Sequence, residues 1–179
     1  MHVSLTAAGV VFIALFAGCS RPDSPTSPAT RAGDIATTRA AVQEVTFKGT
    51  LDATADITFY PPPATFFDVL LQGSGTASHL GRFTLVAPHR VDTNTGGAAG
   101  TFTITAANGD RLTGDFTGAS TPIELPNLFA IVETARITGG TGRFTGATGG
   151  FIMKRVVDLS SPFTSGTFEG TISLPASTR

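Results

Sequence analysis

The sequence predicts an all-β protein, a single antiparallel barrel of roughly eight strands behind an N-terminal targeting segment. Three observations predict it. Apolar and polar residues alternate strictly in 101–106, 112–117 and 167–174, the period of a strand with one buried and one wet face. Glycine is abundant, with 21 residues, threonine is frequent and strong helix formers are scarce. Turn signals recur at short intervals, Asn108-Gly109 among them, so successive strands pair locally.

The chain opens on an apolar run, Val10 to Gly18, that ends at Cys19, the single cysteine. The run is shorter than the about 20 residues that cross a bilayer and has the length of a secretory h-region. Small residues Ala17 and Gly18 precede the cysteine. Residues 1–18 therefore resemble a bacterial lipoprotein signal, which implies that Cys19 is acylated and becomes the mature N-terminus. No Lys or Arg precedes the run, and Phe16 stands where such signals more often carry Leu; plain secretion is the alternative. Ser20, where an inner-membrane lipoprotein often has Asp, favours the outer membrane in a diderm host. Residues 19–41 are rich in Ser, Pro and Thr without apolar period, so they read as a disordered tether with a reach of roughly 25 Å.

The remainder, 42–175, suits one domain, followed by a tail at 176–179. Strands are expected at 42–52, 66–73, 75–87, 99–107, 110–118, 129–138, 147–158 and 164–174. Asn108-Gly109 predicts a type I′ hairpin turn, because both central residues tolerate positive φ. The stretch 53–65 is expected to be the longest loop, since Pro61-Pro62-Pro63 cannot join a central ladder, although 57–60 can pair briefly. A sequential order of strands closes most simply as an up-and-down barrel, which removes exposed edges; a two-sheet sandwich is the rival.

Composition excludes several functions. Charged residues make up 14% of the chain and the net charge is −1, with no basic stripe for nucleic acid. With one cysteine there is neither a disulfide framework nor a CxxC pair. Outside His2 the histidines are His79 and His89, and no metal-binding spacing occurs; no metal or cofactor is expected. Gly-x-Ser-x-Gly is also absent.

The densest motif runs from Ile137 to Gly150, Ile-Thr-Gly-Gly-Thr-Gly-Arg-Phe-Thr-Gly-Ala-Thr-Gly-Gly. It lacks the Gly-Lys-Ser/Thr of a phosphate loop and leads into Phe151-Ile152-Met153, a strand and not the helix a dinucleotide site requires. The expected structure is a strand, a tight turn and a kinked re-entry, with Phe144 plugged into the core. Gly139, Gly140, Thr141, Gly142, Phe144, Ala147 and Gly149 resemble the Gly-Gly-Thr-Gly-x-Phe-x-x-Ala-x-Gly segment of allene oxide cyclases and dirigent proteins; Gly146 matches the cyclase form. That resemblance implies a calycin-like eight-stranded barrel. Gly75 to Thr84 and Ala106 to Asp110 are similar to segments of uncharacterised secreted bacterial proteins that also carry the glycine motif. The activities of the cyclases and dirigent proteins use residues outside the matched motif, so no catalytic position carries over. The plant proteins form trimers, which makes homo-oligomerisation an expectation by resemblance only.

Candidate chemistry is therefore read from parity. Glu133 shares parity with Phe129, Ile131, Ala135 and Ile137. On an inward face it is a buried carboxylate and the candidate catalytic acid or base; on a rim it is wet or paired to Arg or Lys. Arg136 has the opposite parity. His79, Tyr60, Arg82 and Arg143 are candidate cavity or turn residues, three of them with a bland reading: His79 a hydrogen-bonder at a strand bend, Arg82 and Arg143 turn residues packing their stems or paired with Asp or Glu. The sequence reading is an envelope lipoprotein anchored in a bilayer through Cys19, its barrel binding a small hydrophobic ligand or acting as an interaction module. An isomerase- or cyclase-like enzyme using Glu133 is the alternative. The choice turns on whether the barrel is hollow.

Overall fold

The computed structural model describes residues 43–174 other than 125. The signal-like segment, Cys19, the tether and the C-terminal tail lie outside the described residues. The strands are β1 (Gln43–Phe59), β2 (Phe66–Ala77), β3 (Gly81–Asp92), β4 (Gly97–Ala106), β5 (Arg111–Glu124), β6 (Leu128–Gly140), β7 (Thr148–Asp158) and β8 (Phe163–Leu174), with one short 3-10 turn at Gly142–Phe144. Each strand pairs antiparallel with the next, and β1 pairs with β8, giving a closed barrel in simple sequence order. The all-β, eight-stranded reading holds, and the sandwich is excluded.

Three local expectations are corrected. The loop expected over 53–65 is confined to 60–65, because β1 continues to Phe59 and pairs with β2 as far as Phe59↔Phe67. Ala53, Ala55 and Ile57 alternate there with Thr54, Asp56 and Thr58; small inward alanines made a regular strand look polar. Next, Gly73-Ser74-Gly75 does not separate two strands. β2 runs through it, and the turn lies at 78–80, where His79 takes φ 64°. Finally, β4 and β5 form the expected hairpin, but Asn108 does not adopt positive φ; Gly109 alone does, at 89°. Ala106 N–H donates to Asp110 O and Gly109 N–H to Ala106 O, each at 2.9 Å. This is a type I turn closed by a left-handed glycine.

The barrel has two unlike ends. One carries the β2–β3, β4–β5 and β6–β7 connections together with the start of β1 and the end of β8. It is sealed by the glycine motif: Phe144 and Ala147 are fully buried, and Leu80 is buried beside them. Gly142 sits at φ 59° with the Asp110 carboxylate where a Cβ would project, so only glycine fits that turn. The opposite end carries the loops 60–65, 93–96 and 159–162 and the turn at 126–127.

Aromatic rings fill the middle. Phe47, Phe83, Phe102, Phe151 and Phe168 form one connected cluster, with centroid separations of 5.1 to 6.1 Å. They fit because each ring faces a glycine directly across the ladder: Phe168↔Gly49, Phe83↔Gly75, Phe102↔Gly114, with Phe47 and Phe151 both facing Gly170. A Cβ on Gly49 or Gly114 would lie 2.5 Å from the facing ring, so the missing side chain is the space the ring occupies.

Candidate functional site

The same bulky-against-glycine pairing continues toward the open-loop end, but there the bulky partners are polar. Glu133 faces Gly118, Arg155 faces Gly166 and His89 faces Gly100. Their neighbours on the same strands are core residues: Ala135 beside Glu133, Met153 beside Arg155, Ala87 beside His89. Pleat parity alone turns them inward, and all three are buried.

Glu133 and Arg155 form a two-pronged ion pair. Arg155 donates through Nε to Oε2 at 3.2 Å and through Nη2 to Oε1 at 2.8 Å, with 6% and 8% of the two side chains exposed. The fork geometry satisfies both carboxylate oxygens. His89 packs edge-on against Phe116 at 5.4 Å, and its Nδ1 lies 3.1 Å from Ala87 O. Burial lowers the imidazole pKa from its ordinary value; the hydrogen bond to Ala87 and the nearby Glu133 charge act the other way. Thr164 donates its hydroxyl to Val156 O at 2.7 Å. No buried side-chain nitrogen or oxygen among the described residues lacks a partner.

The space beside this cluster is small. The interior cavity measures about 30 Å³ and is walled by Leu, Ile, Ala, Phe and Met side chains, with Glu133 as its one ionisable wall residue. One water needs about 10–15 Å³ of such space, so there is room for about two, whereas a drug-sized ligand takes roughly 300–1,000 Å³. The barrel is filled.

The sequence-stated candidates do not converge. Glu133 is inside, and it is paired to an arginine there, the partner that the rim reading assigns to it. His79 is exposed in the β2–β3 turn at the sealed end. Arg143 is also there: it lies 3.7 Å from Asp110, donates to Leu80 O at 3.3 Å and stacks over Phe144. Arg82 is exposed at the start of β3. Tyr60 is at the other end, on the outer wall, donating to Asp68 at 2.9 Å. Asp68 is held by Arg90 through contacts of 2.7 and 3.0 Å, and Arg90 lies over the Phe66 ring. These contacts bring the Asp68 carboxyl down to about 2 and raise the Tyr60 phenol. The group pins loop 60–65 to β2 and β3. Among the described residues no set of three or more His, Cys, Asp or Glu can hold a metal ion.

Sequence reasoning missed Arg155 and the inward place of His89. Both signals were available. Phe151, Met153 and Arg155 share one face of β7, and the β6–β7 hairpin register then sets Arg155 beside Glu133. Phe83, Leu85, Ala87 and His89 share one face of β3 in the same way.

No protein-family model matches the chain, and no curated protein does. Among solved structures, the pterocarpan synthase dirigent protein GePTS1 is similar in fold, with TM-score 0.54 and 16% identity over 82% of this chain and 99% of that one. At that identity the likeness concerns the fold: this chain carries a dirigent-type eight-stranded β-barrel.

Proposed function

We propose that the chain is an envelope lipoprotein, held to a bilayer through acylated Cys19 and the tether of 19–41, whose filled barrel is a non-enzymatic interaction module. The observation that carries the module half is the interior of about 30 Å³. An apolar ligand would have to displace packed rings, and close-packed cores resist such change. A filled barrel works through its outer surface. The anchoring half rests on the apolar run, the small residues before Cys19 and the composition of 19–41.

Native mass spectrometry of the detergent-extracted full chain tests both halves. The expected spectrum shows cleavage before Cys19, a diacylglyceryl-sized mass increment lost in Cys19→Ser, and no small molecule at one-to-one stoichiometry. A stoichiometric apolar ligand overturns the module reading; a full-length chain without the increment overturns the anchor.

One observation favours a second reading, an isomerase- or cyclase-like enzyme. Glu133, Arg155 and His89 are ionisable groups in an apolar interior, as an enzyme akin to the pterocarpan synthase dirigent protein GePTS1 would require. Against it, both Glu133 oxygens already accept from Arg155, and no substrate-sized space adjoins them.

A further inference from the structure

The outer wall carries a groove that the filled interior does not explain. It crosses four neighbouring strands, β2, β1, β8 and β7, and encloses about 780 Å³ open to solvent. Its floor is low because the outward residues in the row are small: Ser74 faces Asp52, Asp52 faces Ser165, and Ser165 faces Val156. Phe163 stands over it with 70% of its surface exposed, and Val156 with 48%. An aromatic ring that exposed costs solvation without contributing to the core.

The charged residues lining the groove are Asp52 and Asp158. Among the described residues the Asp52 side chain makes no hydrogen bond or ion pair. Among the described residues Asp158 uses only Oδ1, to hold Ser160, and Oδ2 makes no contact of its own. Lys154, two residues from Val156 on β7, borders the groove without lining it.

We propose that this groove docks a polypeptide segment in which Lys or Arg side chains alternate with apolar ones, the cations at Asp52 and Asp158 and an apolar side chain against Phe163 and Val156. This rests on the interaction-module reading and names the partner chemistry for it. Charge complementarity selects the occupant: two carboxylates with no lining cation repel an anionic lipid surface or a nucleic acid. Shape selects it too. Small ligands are bound where most of their surface is enclosed, whereas an open trough across several strands suits an extended chain, whose side chains alternate sides at the strand period.

The test titrates the detergent-extracted full chain with three fluorescein-labelled peptides against a micelle blank: alternating Lys/Leu, alternating Lys/Ser and alternating Glu/Leu. The Lys/Leu peptide is expected to bind at least about tenfold more tightly than the other two. Phe163→Ser and Asp52→Asn are each expected to weaken it about tenfold, the scale of losing one anchoring side chain. Both residues are exposed, so the urea midpoint should not move. Equal binding of all three peptides, or binding indifferent to both substitutions, overturns the proposal. So does self-association of the chain that Asp52→Asn abolishes, which would make a second copy the occupant. The interior stays empty of ligand in all of these outcomes, so failure of the groove leaves the filled-module reading standing.

Discussion

Arg155 and Glu133 meet inside the barrel as a fork-to-fork ion pair, at 2.8 and 3.2 Å, each seated against a glycine of the neighbouring strand. The seat is the one the barrel uses for phenylalanine. A Cβ on Gly166 would lie 2.7 Å from Arg155 Cβ, and one on Gly118 would lie 2.9 Å from Glu133 Cγ. The pair therefore occupies core volume, and its members cannot be removed singly without leaving a charge behind.

Arg155→Met strands the Glu133 carboxylate in an apolar wall. The expected loss in urea unfolding is about 3–5 kcal/mol. The double variant Arg155→Met with Glu133→Leu restores most of it, because a buried pair is often no better than well-packed apolar residues of similar volume. Additive losses in the double variant would show that the two residues do not act as a unit.

The ring-on-glycine packing predicts the cost of adding one methyl. Gly49→Ala places a Cβ against the Thr76 carbonyl oxygen and 2.5 Å from Phe168 Cζ, at the edge of the aromatic cluster. Overpacking of this kind costs about 1–3 kcal/mol. Far-ultraviolet dichroism should stay barrel-like while the thermal midpoint falls; an unchanged midpoint would mean that both the Phe168 ring and the β2 backbone at Thr76 give way.

Much of this architecture was legible in the sequence, and for a physical reason. Strand parity is local, so alternation at 101–106 and 167–174 reported the buried face directly, and the same parity carried Glu133 inward. The closing turn of the glycine motif was legible because Phe144 is the one large apolar residue among glycines. What escaped was long-range or weakly apolar. Ala53 and Ala55 gave β1 too faint a pattern beyond residue 52. The filling of the interior depends on which glycine lies across from which ring, as with Gly49 and Phe168, and that needs the register of strands far apart in the chain. Arg155 was hidden by its type, since arginine rarely occupies a core face.

His79 marks a small strain at the β2–β3 turn. It is the one non-glycine at positive φ among the described residues, at 64°, and it is exposed. Left-handed backbone costs a side chain with a Cβ roughly 1–2 kcal/mol, partly offset by the greater unfolded-state freedom of glycine. His79→Gly should raise stability by about 0.5–1 kcal/mol. A loss instead would mean that the imidazole makes a contact that outweighs the strain.

Asp68 sets an acid limb. Its folded pKa of about 2 lies below the ordinary 3.8, chiefly through the Arg90 and Tyr60 hydrogen bonds. The unfolded chain therefore takes up the proton first. The contribution is complete above the ordinary value and is lost as pH falls through about 3.8 toward 2. The site is open to solvent, so added salt should shrink the effect. Asp68→Asn should lower the urea midpoint near neutrality, where the contribution is complete, and flatten its fall across that acid window.

His89 sets a second, milder limb closer to neutrality. Burial lowers its folded pKa below the ordinary 6.5, so the folded barrel keeps the imidazole neutral where the unfolded chain protonates it. Stability is therefore complete above 6.5 and declines as pH falls from there toward the folded value. Glu133 and Asp68 pull the imidazole toward its charged form and Arg155 pushes it away, so removing Arg155 should raise the folded pKa, leave the onset of the decline where it is, end the decline at a higher pH and reduce its total. In His89→Gln the decline between neutrality and mildly acid pH should vanish, while the limb belonging to Asp68 remains. A His89→Gln protein with an unaltered slope in the upper window would remove His89 as its source.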